Sequence, residues 1–176
     1  AQVHGLFLRK VEIFPPPGTS IDNNFFSIQR KPSAKYPGRR YIGVCAPGKR
    51  LKAILIRTYM AYLGAGQLMY EKYGKDADSW MTLLGYFTSI RELGGTRRLV
   101  EDDIRQRLRK ISIRGLGDRA LRPPEELTSR KSSSDIPQIL DRLEVEFDPA
   151  DDARRKKDRK EGKRLHKLPP YDVVLA

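Results

Sequence analysis

The stretch WMTLLGYFT, residues 80–88, joins aromatic, aliphatic and β-branched side chains and carries the strongest strand signal in the chain. A helix is predicted directly after it, within residues 89–111. The helix prediction rests on apolar side chains at helical spacing: Leu93, Val100, Ile104, Leu108 and Ile111. A buried strand that leads at once into a helix is the repeating unit of parallel sheets.

The same alternation continues on both sides of this stretch. Upstream, residues 41–45 predict a strand and residues 50–73 a long helix, whose Gly64 and Gly66 indicate close packing. Downstream, residues 126–128 are a weak strand candidate and residues 171–176 a final strand. A helix between these two strands is predicted by one apolar face: Ile136, Ile139, Leu140 and Leu143. We therefore predict an α/β fold with a parallel sheet, which collects ligands at the carboxyl ends of its strands.

The remaining segments are predicted to lie outside this alternation. Residues 1–14 are apolar, with alternation at Val11 and Ile13, and a Pro-Pro-Pro-Gly run then breaks regular structure. Residues 15–40 are predicted to be an extended, Pro-rich connector. Residues 148–167 are a charge run predicted to be disordered. Because the chain starts without Met and stops on a strand, we expect it to be a piece of a larger protein.

Composition indicates the kind of partner. Lys and Arg number 35 against 22 Asp and Glu, which gives a net charge of +13. Such an excess favours nucleic acid, and a solubilising surface is the alternative. A single cysteine excludes an internal disulfide framework, and we expect Cys45 to be buried at a strand end in a cytoplasmic protein. No apolar run approaches the length of a membrane span.

GVCAPGKR, residues 43–50, partly matches a phosphate-binding P-loop, because two glycines and Lys49 are in register. Arg50, however, occupies the position of the hydroxyl that binds magnesium, and Pro47 lacks a backbone donor. A small P-loop NTPase is one interpretation and a plain strand-to-helix turn another. In a third, Lys49, Arg50 and Lys52 at a helix N-terminus hold a nucleic-acid phosphate.

Two further groups follow predicted strands. Thr88, Ser89 and Arg91 stand where a strand ends and a helix begins, so hydroxyls, free amides and a cation are available to a sugar-phosphate backbone. Plain N-capping is the alternative for this group.

LTSRKSSSDIP, residues 127–137, supplies the second group directly before a helix. Its hydroxyls and cations predict a phosphate contact, with a capped helix after a flexible serine segment as the alternative. The candidate ligands here are Thr128, Ser129, Arg130, Ser132 and Ser133.

Catalytic and metal chemistry find little support in the sequence. His4 and His166 are distant from Cys45, so no triad or thiol dyad is predicted. Acidic pairs at residues 102–103 and 151–152 are typical of solvated faces. We predict no catalytic, cofactor-binding or metal site in the chain.

The order of these motifs resembles superfamily-2 helicases and, more narrowly, the DrmA helicases of DISARM anti-phage defence. The resemblance rests on IFPPPG, GVCAPG, LLGYFTSIRELGGTRRLVEDDIRQRL, RPPEELTSRKSSSDIPQILDRLE and YDVVLA. It covers nearly the whole chain except the insertion around residues 154–167.

The resemblance implies an incomplete RecA-like fold. Residues 1–14 would end a first RecA-like domain, residues 15–40 would link the domains, and residues 41–176 would form part of the second, with an insertion at 148–167. GYFTSIRE resembles helicase motif IV, and TSRKSSSDIP resembles the adjoining nucleic-acid motif.

The resemblance also implies a division of labour. The chain lacks the Walker A, Walker B and arginine-finger motifs, so it is not expected to hydrolyse ATP alone. ATP and Mg²⁺ are expected for the complete helicase. The implied partners are single-stranded DNA, with RNA as the alternative, the remainder of the helicase, and the DISARM protein DrmB. A different hypothesis is a non-enzymatic basic nucleic-acid-binding module.

Overall fold

The computed structural model describes residues 2–10, 12, 14–15, 18–165 and 167–176. The chain divides into two compact units, Ala1–Cys45 and Ala46–Ala176. The predicted boundaries at residues 14 and 40 stay predictions, as does the linker between them. The alternation predicted at Val11 and Ile13 lies outside the described residues.

The first unit has little regular structure. It begins with helix α1, Gln2–Phe7, and holds one isolated antiparallel bridge between Asn23 and Ile28. The strand predicted for residues 41–45 is wrong: these residues are irregular, and Cys45, expected to be buried, is exposed. Apolar strand formers need a neighbouring strand to pair with their backbone, and this segment has none among the described residues.

The second unit holds the remaining helices and all three strands of the described residues. Its α-helices are α2 Leu51–Tyr73, α3 Ile90–Leu99, α4 Arg105–Leu108, α5 Asp135–Leu143 and α6 Pro149–Lys160. A π-helical turn, Val100–Ile104, joins α3 to α4, and 3₁₀ turns span Gly74–Trp80 and Ile111–Arg114. The strands are β1 Leu83–Gly85, β2 Glu125–Glu126 and β3 Val173–Leu175.

The three strands form a parallel sheet in the order β1-β3-β2, so the last strand in sequence is the central one. Val173 and Leu175 pack into a core with α2, α3 and α4. Val174 points to the other face and packs with Ile139 of α5. Helices therefore cover both faces of the sheet. This arrangement confirms a parallel α/β unit, while the RecA-like assignment stays a prediction.

Most predicted elements of this unit are present. The helices predicted for residues 50–73 and 89–111 form, and so do the strands near residues 126 and 174. The strand predicted for residues 80–88 is shorter: β1 spans only Leu83–Gly85, and a 3₁₀ turn ends at Trp80. Backbone pairing continues beyond β1, where the Phe87 N–H donates to the Ala176 carbonyl at 2.8 Å.

The prediction of disorder for residues 148–167 is wrong, because α6 occupies most of this segment. Asp148 caps the helix by accepting from the Ala150 N–H at 2.8 Å, and Pro149 takes the favoured first position. Arg155 is buried and donates to Asp152 at 2.7 Å. Asp152 in turn accepts from the Tyr70 hydroxyl of α2 at 2.9 Å. The contact between Asp152 and Tyr70 is long-range and holds the charged helix on the domain, whereas the Arg155–Asp152 pair lies within α6.

The close packing predicted for Gly64 and Gly66 is confirmed. A Cβ atom on Gly66 would lie 2.7 Å from the Trp80 carbonyl oxygen, and one on Gly64 would lie 3.0 Å from Leu116. The Gly64 carbonyl also accepts from the Gly117 N–H at 3.0 Å. Because Gly64 and Gly66 lack side chains, the segments at Trp80 and at residues 116–117 can approach the backbone of α2 closely.

A buried ion pair lies at the amino end of the central strand. Asp172, directly before β3, has a side chain only 3% exposed and accepts from Arg119 at 2.7 Å. It also accepts from the Arg122 backbone N–H at 2.8 Å. Arg119 further donates to the Met81 carbonyl at 2.8 Å, next to the start of β1. This cluster ties the loop after α4 to the amino edge of the sheet.

Candidate nucleic-acid interface

The two predicted contact groups after β1 and β2 lie at one edge of the sheet. Both strands run parallel to β3 and flank it, so their carboxyl ends face the same way. Strands lie about 4.8 Å apart, which separates the ends of β1 and β2 by about 10 Å. The structure thus brings residues 88–91 and residues 128–133 to the carboxyl edge, on either side of the end of β3.

In the first group, Ser89 caps helix α3. Its hydroxyl oxygen accepts from the Glu92 N–H at 3.2 Å, and the Thr88 hydroxyl donates to the Glu92 carboxylate at 3.3 Å. Capping uses the lone pairs of Ser89 and leaves its O–H free to donate, whereas Thr88 already uses its proton. Arg91 is exposed and has no partner among the described residues. Ser89 and Arg91 are therefore the available donors of this group.

A cleft of about 660 Å³ adjoins this group. Ser89 and Arg91 line it from α3, and Leu51 and Lys52 line it from the first turn of α2. The starts of the two helices therefore face one opening. Lys52 joins the cations that the sequence placed at the beginning of α2.

Lys49 and Arg50 come directly before Leu51 and Lys52 in the sequence, and both are exposed. The Lys49 N–H donates to the Ala46 carbonyl at 3.2 Å, which closes a turn with Gly48 at a φ of 73°. Arg50 is the N-cap residue of α2 and makes no side-chain capping bond. A P-loop needs a strand before it and free amides within it. No strand precedes this segment among the described residues, and its Lys49 amide is used within the turn, so the geometry matches a turn that leads into α2.

In the second group, both cations are already paired with strand β2. Arg130 lies 3.0 Å from the Glu126 carboxylate, and Lys131 lies 2.8 Å from that of Glu125. The Thr128 hydroxyl also donates to Glu126, at 2.7 Å. Arg130 nevertheless keeps 56% of its side chain exposed, so it can turn toward a ligand.

The serines of this group differ in their availability. Ser132 accepts from the Asp135 N–H at 3.3 Å and shares a hydrogen bond with Ser134 at 2.7 Å, so it supports the start of α5. Ser129 and Ser133 are exposed and have no side-chain partner among the described residues. The capped-helix alternative thus applies to Ser132, while Ser129 and Ser133 offer free hydroxyls.

Comparison with known proteins shows which protein the chain resembles in sequence. No protein-family model matches the chain. The chain is 41% identical over 151 residues to the DISARM protein DrmA of Bacillus paralicheniformis. This chain is a relative of DrmA. The match covers 83% of this chain but 13% of that protein, so the chain spans only a small part of the length of DrmA.

Glu126 is the central charged residue of this edge in the DrmA relative, and sequence reasoning missed it. Besides Thr128 and Arg130, its carboxylate lies 3.6 Å from the guanidinium of Arg97 on α3. The hydrogen bond from Thr128, together with the charges of Arg130 and Arg97, holds the pKa of Glu126 below its usual range. Glu126 is therefore ionised at neutral pH and connects the second group to Arg97 of helix α3. The four-residue spacing of Glu126 and Arg130 was the available signal.

The neighbouring ion pair, Glu125 with Lys131, also keeps both of its partners charged. Burial, the largest single influence, would raise the pKa of Glu125, but the hydrogen bonds from Lys131, the Glu126 N–H and Tyr171, together with the charge of Lys131, outweigh it and hold that pKa below its usual range. The same hydrogen bond raises the pKa of Lys131. Both groups are charged at neutral pH, so an incoming phosphate must compete with two carboxylates for the cations of this edge.

The described part of the DrmA relative offers neither a metal site nor a membrane-spanning helix. No three of its His, Cys, Asp or Glu side chains converge as a metal site would require. Among the same residues, no helix has both the length and the apolar character needed to cross a bilayer.

Proposed function

We propose that this chain is part of an ATP-dependent helicase or translocase of DISARM anti-phage defence. Its own task in that enzyme would be to grip single-stranded DNA through backbone phosphates, with RNA as the alternative strand. The similarity to DrmA supports the defence role.

One observation carries the grip: the two predicted contact groups share the carboxyl edge of a parallel sheet. This is the edge at which such sheets bind ligands. Ser89 and Arg91 lie on one side of the end of β3, and Ser129, Arg130 and Ser133 lie on the other. A strand laid across this edge would meet hydroxyl donors and guanidinium groups in turn, without any contact to base edges.

The cations of the second group would bind a DNA phosphate by exchanging it for the carboxylate that now pairs with them. Arg130 is held by Glu126, whose side chain is 12% exposed, but the guanidinium side of the pair is 56% exposed, so the contact contributes little stability. A phosphate can therefore replace the carboxylate as the partner of Arg130 at small cost. Arg91 has no partner to give up among the described residues.

ATP and Mg²⁺ would be bound by other parts of the complete protein. The turn at residues 46–49 and the N-cap position of Arg50 do not suit a nucleotide phosphate cradle. The remainder of the helicase and DrmB are the proposed protein partners. ATP-driven closure of another motor domain against this one would shift the grip along the DNA strand. The residues described above would hold the strand during that movement.

Salt dependence of binding tests this grip. Each phosphate contact to a single strand contributes about 0.7 to the slope of log affinity against log salt. We expect Arg91→Gln and Arg130→Gln each to weaken the binding of an unstructured oligodeoxythymidine to the full chain and to lower that slope by about 0.7. Fluorescence anisotropy across a salt series measures both quantities.

Arg98→Gln is the matched control, because Arg98 is exposed on the same helix as Arg91, two turns further on. It removes the same charge and should leave the slope unchanged. Equal slopes for all three variants would mean that the net charge attracts DNA without a defined grip, and the proposal would fail.

A further inference from the structure

A second polar cavity opens at the amino edge of the sheet, opposite the candidate interface. It has a volume of about 560 Å³, within the range of small-molecule sites. Its floor is the ion-pair cluster of Asp172, Arg119 and Arg122. Its rim comes from α4 on one side and α6 on the other. The helix that was predicted to be disordered thus forms one wall.

The floor contains a donor without an acceptor. Arg119 is only 4% exposed, and it uses one terminal nitrogen for Asp172 and the Met81 carbonyl. Its other terminal nitrogen is buried and has no hydrogen-bond partner among the described residues. The Nε atom of Arg105, also on the cavity lining, is buried and unpartnered in the same way. Buried guanidinium nitrogens are costly to leave unsatisfied, and both belong to residues that line the cavity, so an anion bound there would lie close to donors that lack an acceptor.

The rim adds cations that no carboxylate neutralises. Arg109 and Arg105 lie one turn apart at the α4 side, and Lys156 and Arg159 lie one turn apart on α6. Arg109, Lys156 and Arg159 are exposed and have no ion-pair partner among the described residues. The whole lining carries six cations against three carboxylates.

The three carboxylates of the lining are already occupied. Asp118 accepts from the backbone and hydroxyl of Ser112 at 2.7 and 2.8 Å. Asp152 is bound by Tyr70 and Arg155, and Asp172 by Arg119 and Arg122. The surplus positive charge is therefore left for an external anion.

We propose that this cavity binds a small ligand carrying phosphate groups. Guanidinium forks suit the oxygens of phosphate, and a cluster of several cations suits a group with more than one negative charge. The cavity has a buried floor and lies on the opposite edge of the sheet from the predicted DNA grip. A compact molecule fits this shape better than a continuous strand does.

Inorganic pyrophosphate is the probe, and isothermal titration calorimetry on the full chain measures its binding. The double variant Arg109→Gln, Arg159→Gln removes two exposed rim cations without touching the buried floor. Because hydrogen bonds to charged groups are among the stronger ones, we expect pyrophosphate affinity to fall by about tenfold or more. Circular dichroism shows whether the variant keeps the fold.

The control double variant Lys110→Gln, Arg154→Gln removes equal charge from exposed positions beside the same helices and outside the cavity. It should leave pyrophosphate affinity within about twofold of the wild type, as expected for weakly coupled surface charges. Absent pyrophosphate binding, or equal losses in both double variants, would overturn the proposal.

Oligodeoxythymidine titrations separate this cavity from the grip. The rim variant should keep the DNA salt slope of the wild type while losing pyrophosphate. If instead the rim variant loses DNA binding and keeps pyrophosphate binding, the cavity belongs to a nucleic-acid surface and the small-ligand proposal fails.

Discussion

The two edges of the three-stranded sheet both carry arginine–carboxylate pairs, but the pairs differ in burial. At the carboxyl edge, the Arg130 side chain is 56% exposed, its partner Glu126 is 12% exposed, and the two meet at 3.0 Å. At the amino edge, Arg119 and Asp172 are 4% and 3% exposed and meet at 2.7 Å. An exposed pair contributes about 0–1 kcal/mol, whereas losing one partner of a buried pair costs several times more. The carboxyl edge can therefore exchange partners, and the amino edge cannot.

The largest effect is expected from Asp172→Asn. The change leaves Arg119 buried without its counter-charge, so the free energy of unfolding should fall by about 3–5 kcal/mol. Urea denaturation monitored by circular dichroism measures the loss.

Asp103→Asn is its control, because it removes an exposed carboxylate that pairs with Arg107 at 3.2 Å. This variant should change stability by less than about 0.5 kcal/mol. If both variants lose the same stability, burial does not distinguish the two kinds of pair.

A pair of glycine variants extends the comparison to helix packing. A Cβ at Gly66 would meet the Trp80 carbonyl at 2.7 Å, near the amino end of β1. Gly66→Ala should therefore destabilise the fold by about 1–3 kcal/mol through overpacking. Thermal unfolding followed by circular dichroism gives the change.

Gly94→Ala provides the opposite case on α3, near the carboxyl edge. Nothing lies within 4 Å of a Cβ added to Gly94. Alanine should stabilise this helical position by about 0.5–1 kcal/mol because it lowers the entropy lost on folding. Destabilisation by Gly94→Ala would show that the carboxyl edge is packed as tightly as the amino edge.

Glu126→Gln should change the free energy of unfolding by less than about 1 kcal/mol, because its partners Arg130 and Arg97 are 56% and 42% exposed. Its effect should be on binding instead, because Arg130 and Arg97 lose the carboxylate that holds them. Affinity for oligodeoxythymidine should rise, and the salt slope should steepen by about 0.7 for each further phosphate that the released cations bind. Since the lowered pKa keeps Glu126 ionised at neutral pH, the comparison is made near pH 7. An unchanged slope would show that Glu126 does not restrain these cations.

The sequence predicted elements whose stability is local and missed those that depend on distant partners. Helices α2, α3 and α5 follow apolar spacing that the chain itself displays. Residues 41–45 have strand propensity but no neighbouring strand among the described residues. Helix α6 has little apolar surface, and its place depends on the contact of Asp152 with Tyr70 of α2, 82 positions away in the sequence. No local pattern could reveal that contact.

The same limit applies to the candidate interface. The position of Ser89, Arg91 and Ser129 at the carboxyl edge could be predicted because each follows a strand signal, while their contact with nucleic acid stays a prediction. The contact between Glu126 and Arg97 could not be predicted, because it depends on the order of strands in the sheet. Whether a hydroxyl is free to bind a ligand also depends on its hydrogen bonds in the folded chain. Ser89 and Ser132, for example, accept hydrogen bonds from helix N–H groups.

The central position of β3 has a consequence for synthesis on the ribosome. Leu83 pairs with Val173 and Glu125 with Val174, so β1 and β2 have no direct contact as a strand pair. While the polypeptide is still being elongated, neither has its partner, and the apolar sides of α2 and α3 lack the strand that covers them. Such late, non-local closure slows folding and leaves nascent chains prone to aggregate. Cellular chaperones would meet this domain during the interval before residues 173–175 emerge.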